Sequence, residues 1–218
     1  SSFVHKLVDS RVPVEGLIEH PVTSLQRHAN FANPRIPLPP AIYGAERRNS
    51  RGINMNILNE WAPLEAELNK WWDKQWSAAP LVGGKRLSGD ARKVMCPYQL
   101  SRQVGEVVWA SADQTRDAID QLSAAFVGWN ATPVDQRAAV LERTADKLEE
   151  HMPELMALCT LEAGKSLQDG IDEVREAVDF CRFYAAEAEK LFGEGVLMPG
   201  PTGEENRYRF RGRGVFVC

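Results

Sequence analysis

Glu176, Phe180 and Phe183 recur at i, i+4 and i+7, so a helix would carry a carboxylate and two aromatic rings on one face. A free helix edge rarely holds two phenylalanines around a carboxylate. The pattern therefore predicts a covered face with a ligand contact at Glu176. The structural alternative is a helix carboxylate bonded to neighbouring backbone or to an arginine. Other candidates fail on spacing. Gly164-Lys165-Ser166 resembles the end of a phosphate-binding loop, but the required earlier glycine is Cys159, and the preceding segment has a helical rather than a strand pattern. Gly212-Arg213-Gly214 opens a dinucleotide-type glycine run, but its last position is Val217 and it precedes a strand-like stretch instead of following one. His5, His20, His28 and His151 are scattered, and no Ser-His-Asp or Cys-His set can be assembled. Cys96, Cys159, Cys181 and Cys218 form no C-x-x-C pair, so no metal site is expected. Cys159 and Cys181 fall on helical core positions, where a thiol acts as a small hydrophobe.

The element that must position Glu176 is a long helix ending at Phe192. Ile171, Val174, Val178, Cys181, Ala185, Ala188 and Phe192 are spaced 3, 4, 3, 4, 3, 4, the mark of one buried face. Asp172, Arg175, Asp179 and Arg182 lie on a flanking stripe and alternate in sign, so a ladder of intrahelical pairs is expected.

Upstream, Gly164 is placed to cap a helix containing Leu155, Leu158 and Leu161, with Pro153 interrupting or restarting the helical pattern. Thr132-Pro133 starts a helix with Ala138, Leu141, Ala145 and Leu148, and Ser111 or Asp113 caps one with Ile119, Leu122, Phe126 and Trp129. Strands are expected near Lys93–Cys96 and Val104–Ala110, after a Gly83-Gly84 turn. Trp61, Leu64, Leu68 and Trp71 share a helical face, which Pro63 should confine to a start near Ala62; the tryptophans are expected to pack against another domain or subunit.

Residues 33–56 combine Pro34, Pro37, Pro39 and Pro40 with Arg35, Arg47, Arg48 and Arg51. They suit a solvated strap whose arginines bond carboxylates or carbonyls of the surface it crosses. In residues 1–30 the apolar anchors are Phe3, Leu7, Leu17, Ile18, Val22 and Leu25. Residues 196–206 have loop composition, Arg207–Arg211 alternates like a half-exposed strand, and Val215–Cys218 suits a buried parallel strand that needs a partner sheet outside this sequence.

Composition sets the outer bounds. The chain has 218 residues, 44% hydrophobic and 26% charged, which fits a globular protein and not a disordered one. A net charge of −4 offers no overall attraction to nucleic acid. No apolar run approaches the roughly 20 residues of a membrane helix, and the N-terminus lacks a signal pattern. Cysteine usage suggests a reducing, cytoplasmic setting, which makes the sequon at Asn130 a chance match.

Four stretches carry a family resemblance: Glu162-Ala163-Gly164-Lys165-Ser166, EVREAVDFCRFYA from Glu173 to Ala185, PTGEEN from Pro201 to Asn206, and GRGVFVC from Gly212 to Cys218. From about Pro80 onward the chain resembles the N-terminal part of an aldehyde dehydrogenase, and within that superfamily a 1-pyrroline-5-carboxylate dehydrogenase. SSFVHKLVD at the start and IPLPPAIYGAERRNSRG from Ile36 to Gly52 resemble the end of a proline dehydrogenase domain and its linker, the order found in the bifunctional proline utilization A family.

The resemblance implies an α/β parent of aldehyde dehydrogenase type. This segment would be mainly α-helical with a few strands, an incomplete doubly wound domain. It divides into residues 1–32, the tail of a proline dehydrogenase domain; 33–79, a Pro/Arg-rich linker and Trp-rich helix; and 80–218, the start of an NAD domain. It implies NAD for the parent dehydrogenase and FAD for the proline dehydrogenase, with neither bound by this segment alone. It also implies a homo-oligomeric cytoplasmic parent, peripheral at the inner membrane when reduced, with the strand near Arg207–Arg211 used in dimerisation. The partners implied are the remainder of the polypeptide and a small-molecule substrate. The activity implied is oxidation of proline to glutamate, chiefly the NAD-dependent oxidation of glutamate semialdehyde. The nucleophilic cysteine and general-base glutamate of the family match no motif here, so no catalytic residue is expected and the segment alone should be inactive. By resemblance Glu176 lies near the amino-acid end of the substrate, where it can complement the ammonium. The competing reading is a truncated, non-catalytic scaffolding protein, and the reading frame after Cys218 would separate the two.

Overall fold

The computed structural model describes residues 2–28, 33 and 35–218, the side chains of Ser2, Phe3 and Lys6 excepted. Pro34 and the Phe3 side chain, both named above, lie outside the described residues. The chain divides into two units, Ser1–Leu38 and Pro39–Cys218.

The first unit holds α1 (Ser2–Val8), α2 (Val14–Leu17) and α3 (Pro21–Gln26). His20 caps α3, its Nδ1 accepting from the Val22 amide at 3.3 Å, with Pro21 at the first helical position. Leu7, Ile18, Val22 and Leu25 are exposed, so the expected anchors gather no core around them here. Helices of 7, 4 and 6 residues are too short to be stable by themselves in water.

The second unit begins with an irregular strap, residues 39–57, that opens on a 3-10 turn at Pro39–Ala41. Then come α4 (Leu58–Leu68), β1 (Trp76–Ala78), the hairpin β2 (Leu81–Val82) and β3 (Lys85–Arg86), β4 (Ala91–Cys96) and β5 (Gln99–Val108). Four helices follow: α5 (Ala112–Ala131), α6 (Val134–Glu150), α7 (Met152–Ala163) and α8 (Leu167–Phe192). A last hairpin pairs β6 (Val196–Met198) with β7 (Asn206–Tyr208). The three-stranded sheet has the order β1-β5-β4, with β1 parallel and β4 antiparallel to β5. Trp76 pairs with Gly105, where a Cβ would collide with the Trp76 backbone, so only glycine allows the two strands to approach. Gly83 and Gly84 take φ of 58° and 75°, the left-handed pair that closes a two-residue hairpin.

Chain punctuation follows local chemistry. Ser111 caps α5 and Ser166 caps α8, each in a reciprocal box with the residue three positions on, Gln114 and Asp169. Gly164 ends α7 at φ 70°, so Gly164-Lys165-Ser166 is a helix-to-helix joint, as the rejection of a phosphate loop requires. Pro153 sits in the first turn of α7, where its missing N–H breaks nothing.

The core gathers Leu64 and Leu68 of α4, Ala145 of α6, Met152, Met156 and Ala157 of α7, and Ile171, Val174 and Val178 of α8. Burying each of the larger side chains contributes about 1.5–3 kcal/mol. Trp61, Trp71, Trp72 and Trp76 pack half-buried against this same core, so within this chain they serve their own unit. Trp76 Nε1 donates to Glu154 Oε1 at 2.9 Å, which Lys74 Nζ also reaches at 3.1 Å.

Two expectations are corrected. Helix α4 starts at Leu58, not near Ala62, and runs through Pro63. Pro63 lies on the exposed side, where water can take the freed carbonyl, while Leu64 and Leu68 anchor the opposite face. Residues 196–206 are not all loop, because Val196–Met198 finds a ladder partner in Asn206–Tyr208. Val215–Cys218, expected to need a partner sheet outside this sequence, has no ladder partner among the described residues, and Phe216 and Val217 are exposed. The segment is tethered instead by the Gly212 amide, which donates to Asn130 Oδ1 at 2.8 Å, and Val215 and Phe216 share a groove with Leu122, Phe126 and Trp129 of α5.

Candidate functional site

Helix α8 presents two charged surfaces of different character. The first meets the strap. Arg182, 1% exposed, donates from Nη2 to Asp146 Oδ1 at 3.0 Å and Glu149 Oε2 at 2.9 Å, and from Nη1 to Glu149 Oε1 at 3.2 Å and the Asn49 carbonyl at 3.5 Å. Arg48 reaches the same two carboxylates at 2.9 and 3.2 Å, and the Arg51 amide donates to Glu149 Oε1 at 2.9 Å. Asp179 accepts from the Ser50 amide at 2.8 Å and from Ser50 Oγ at 2.6 Å. The expected intrahelical ladder is therefore mostly a set of bonds to other elements; only Arg175 and Asp172 approach each other within α8, at 4.0 Å. The physical reason is burial: a desolvated arginine needs full pairing, and α6 supplies two carboxylates where one turn of α8 supplies one.

Burial alone would lower the Arg182 pKa, but its hydrogen bonds to Glu149 and Asp146 outweigh this and hold it above the usual value. Glu149 mirrors it. Burial pushes its carboxyl up, and Arg182, the Arg51 amide and Arg48 together hold it below the ordinary range. Burial also raises the thiols of Cys159 and Cys181, which suits packing and not nucleophilic chemistry.

The second surface carries Glu176. It lines a groove of about 280 Å³ with Phe180 and Phe183 from α8, Asp179, and Arg47 from the strap. Phe180 and Phe183 are 48% and 39% exposed, so the face is open instead of covered on two sides as expected. Tyr184 extends the aromatic strip, stacked on Phe180 at 5.8 Å and edge-on to Phe183 at 5.3 Å. The Arg47 guanidinium lies 3.6 Å over the Tyr43 ring and 5.7 Å from the Phe183 ring. Glu176 has no hydrogen bond or ion pair to any described residue. Its neighbours all do: Asp169 with Ser166, Asp172 with Gln168, Glu173 with Lys165, and Asp179 with Ser50. The alternative of a structurally bonded Glu176 has no partner to support it. Sequence reasoning named Glu176, Phe180 and Phe183 together but missed Arg47 and Tyr43 as their neighbours. No local pattern links positions 43–47 to positions 176–183.

No strand, glycine-rich turn and helix succeed one another among the described residues in the order a dinucleotide pyrophosphate needs. The residues present do not by themselves fit NAD or FAD.

The fold and site meet a defined family at this point. The aldehyde dehydrogenase family model matches residues 86–218, and the chain belongs to that family. Over 93% of its length it is 34% identical to the bifunctional protein PutA of Klebsiella aerogenes, of which it spans 16%. It is 33% identical, over 80% of its length, to a 1-pyrroline-5-carboxylate dehydrogenase of Bacillus licheniformis, of which it spans 34%. A crystal structure of bifunctional proline utilization A superposes on 98% of this chain with a TM-score of 0.70 and 38% identity, covering 19% of that structure. The chain thus corresponds to a PutA-like segment that includes part of the aldehyde dehydrogenase domain, mostly helical with few strands, and it spans well under two thirds of the length of these relatives. No described helix is long and apolar enough to cross a membrane.

Proposed function

We propose that this chain is the linker and substrate-side helical portion of a proline-catabolic enzyme that oxidises glutamate semialdehyde to glutamate with NAD. Residues 1–32 would end a flavin-dependent proline dehydrogenase domain, 33–79 form the linker and Trp-rich helix, and 80–218 open the NAD domain. NAD and FAD would be held by residues of the parent outside this chain, and the nucleophilic cysteine would be supplied there too. The observation that carries the reading is the state of Glu176. It is the unpartnered carboxylate on a face where its neighbours are bonded, flanked by an exposed aromatic strip. A carboxylate so placed suits the ammonium of an amino-acid aldehyde, whose charge it can pair without first breaking a bond.

The β6–β7 hairpin, with Val196, Leu197 and Tyr208 exposed, suits the role in subunit association that the family resemblance suggests. Two measurements test the functional reading. The 218-residue chain should show no NAD-dependent oxidation of glutamate semialdehyde; turnover above background would overturn the division of labour. In the complete enzyme, Glu176→Gln should raise the semialdehyde KM about tenfold with kcat little changed, the loss of one charge-assisted contact. An unchanged KM would return Glu176 to a surface role.

A further inference from the structure

One guanidinium faces two carboxylates in the α8 groove. Arg47, Glu176 and Asp179 line the same cavity, and Glu176 and Asp179 lie one turn apart on α8. Arg47 pairs with Asp179, Nη1 to Oδ1 at 3.8 Å, and not with Glu176. Three features hold it on that side. Its guanidinium lies 3.6 Å over the Tyr43 ring. Asp179 is itself fixed, because its two oxygens accept from the Ser50 amide at 2.8 Å and the Ser50 hydroxyl at 2.6 Å. Ser50 is fully buried, and its Oγ also accepts from Arg175 Nε at 3.3 Å, so turning the Asp179 carboxylate breaks a buried set of bonds. The strap is anchored on both sides of Arg47, where Glu46 accepts from Lys190 Nζ at 2.7 Å and the Asn49 carbonyl accepts from Arg182 at 3.5 Å.

We propose that Asp179 is a positioning residue: by detaining Arg47 it keeps Glu176 from being neutralised inside the protein. The proposal rests on the reading of Glu176 above and concerns what keeps that carboxylate available. A guanidinium is a planar donor that fits any carboxylate within reach. A pair between Arg47 and Glu176 would have to be broken before a substrate ammonium could replace it. Asp179 prevents this through Arg47 and not by touching the substrate. The same carboxylate therefore docks the strap through Ser50 and assigns the strap's cation to one of two neighbouring acids.

The test is a mutant cycle in the complete enzyme, read with glutamate semialdehyde and with glutaric semialdehyde, which lacks the ammonium. Asp179→Asn should raise KM for glutamate semialdehyde about fivefold, with kcat little changed and glutaric semialdehyde unaffected. Arg47→Met alone should leave both KM values within about twofold of the parent, and added to Asp179→Asn it should restore the glutamate semialdehyde KM. Asp179→Glu, which keeps the charge, should stay nearer the parent than Asp179→Asn. Tyr43→Leu, at an exposed position, removes the ring that holds the guanidinium. It should raise the same KM by a smaller factor, again undone by Arg47→Met, and it carries the test if Asp179→Asn does not fold. A raised KM that persists when Arg47→Met is added overturns the proposal, because a purely structural defect is not repaired by a second loss. Equal effects on both aldehydes, or no effect of either Asp179→Asn or Tyr43→Leu, overturn it as well. Failure of the Glu176 reading is seen separately, as an unchanged KM in Glu176→Gln.

Discussion

The strap side and the groove side of α8 use the same residue types to opposite ends. On the strap side Asp179 and Arg182 are saturated: each charged atom faces a partner from another element, and the buried guanidinium is shared by two carboxylates. On the groove side, one turn from Asp179, Glu176 has no hydrogen bond or ion pair among the described residues, and Arg47 makes only a 3.8 Å ion pair to Asp179. Charges that hold a fold are matched within it. Charges that the fold positions but does not match are where a ligand can enter. The contrast separates bonded from unbonded carboxylates among the described residues of one helix without reference to any relative.

Four outcomes would break or sharpen that contrast, and the first carries the largest effect. Arg182→Ala leaves Asp146 and Glu149 facing one another without their buried counter-charge. It should destabilise the protein by about 3–5 kcal/mol in urea denaturation; a loss below about 1 kcal/mol would mean the strap side is not structural. Next, Asp179→Asn weakens the acceptor for the Ser50 amide and hydroxyl and should cost about 1–3 kcal/mol. It should also speed tryptic cleavage at Arg47 and Arg48, and an unchanged digestion rate would argue against docking of the strap through Asp179.

Third, acid should loosen the strap. The Glu149 carboxyl is held below its ordinary value of 4.5, so in the fold it binds its proton less readily than in the unfolded chain. Its contribution is present above that value and is lost as the pH falls through the lower folded value. Stability measured by thermal melting should decline as pH drops below that range, and less steeply in Glu149→Gln. Equal slopes would remove Glu149 from the cluster. The smallest effect is expected at Glu176→Gln, whose stability should lie within about 0.5 kcal/mol of the parent because no protein contact is lost. A larger destabilisation would show that Glu176 belongs with the structural set.

Much of this architecture was legible locally. Ser111 as a cap, Gly164 as a helix stop, Pro153 as a helix restart and the Gly83-Gly84 turn each depend on a few adjacent residues. Of the strap arginines, Arg48 bonds carboxylates as expected, while Arg47 makes no hydrogen bond to a described residue. The failures were of another kind. The course of α4 through Pro63 depends on which side of the helix faces water. Arg182 was expected in an intrahelical ladder, since its pairing to α6 depends on α6 lying across it.

The sequence by itself determined where α7 and α8 end, which face of α8 is apolar, and that Glu176 stands among phenylalanines, because these are properties of neighbours a few residues apart. Only the tertiary structure decided that Asp179 and Arg182 bond other elements, that Glu176 has no hydrogen bond or ion pair among the described residues, and that Arg47 lines the same groove. Those facts depend on contacts across more than a hundred positions, and burial sets how strongly each charge must be matched.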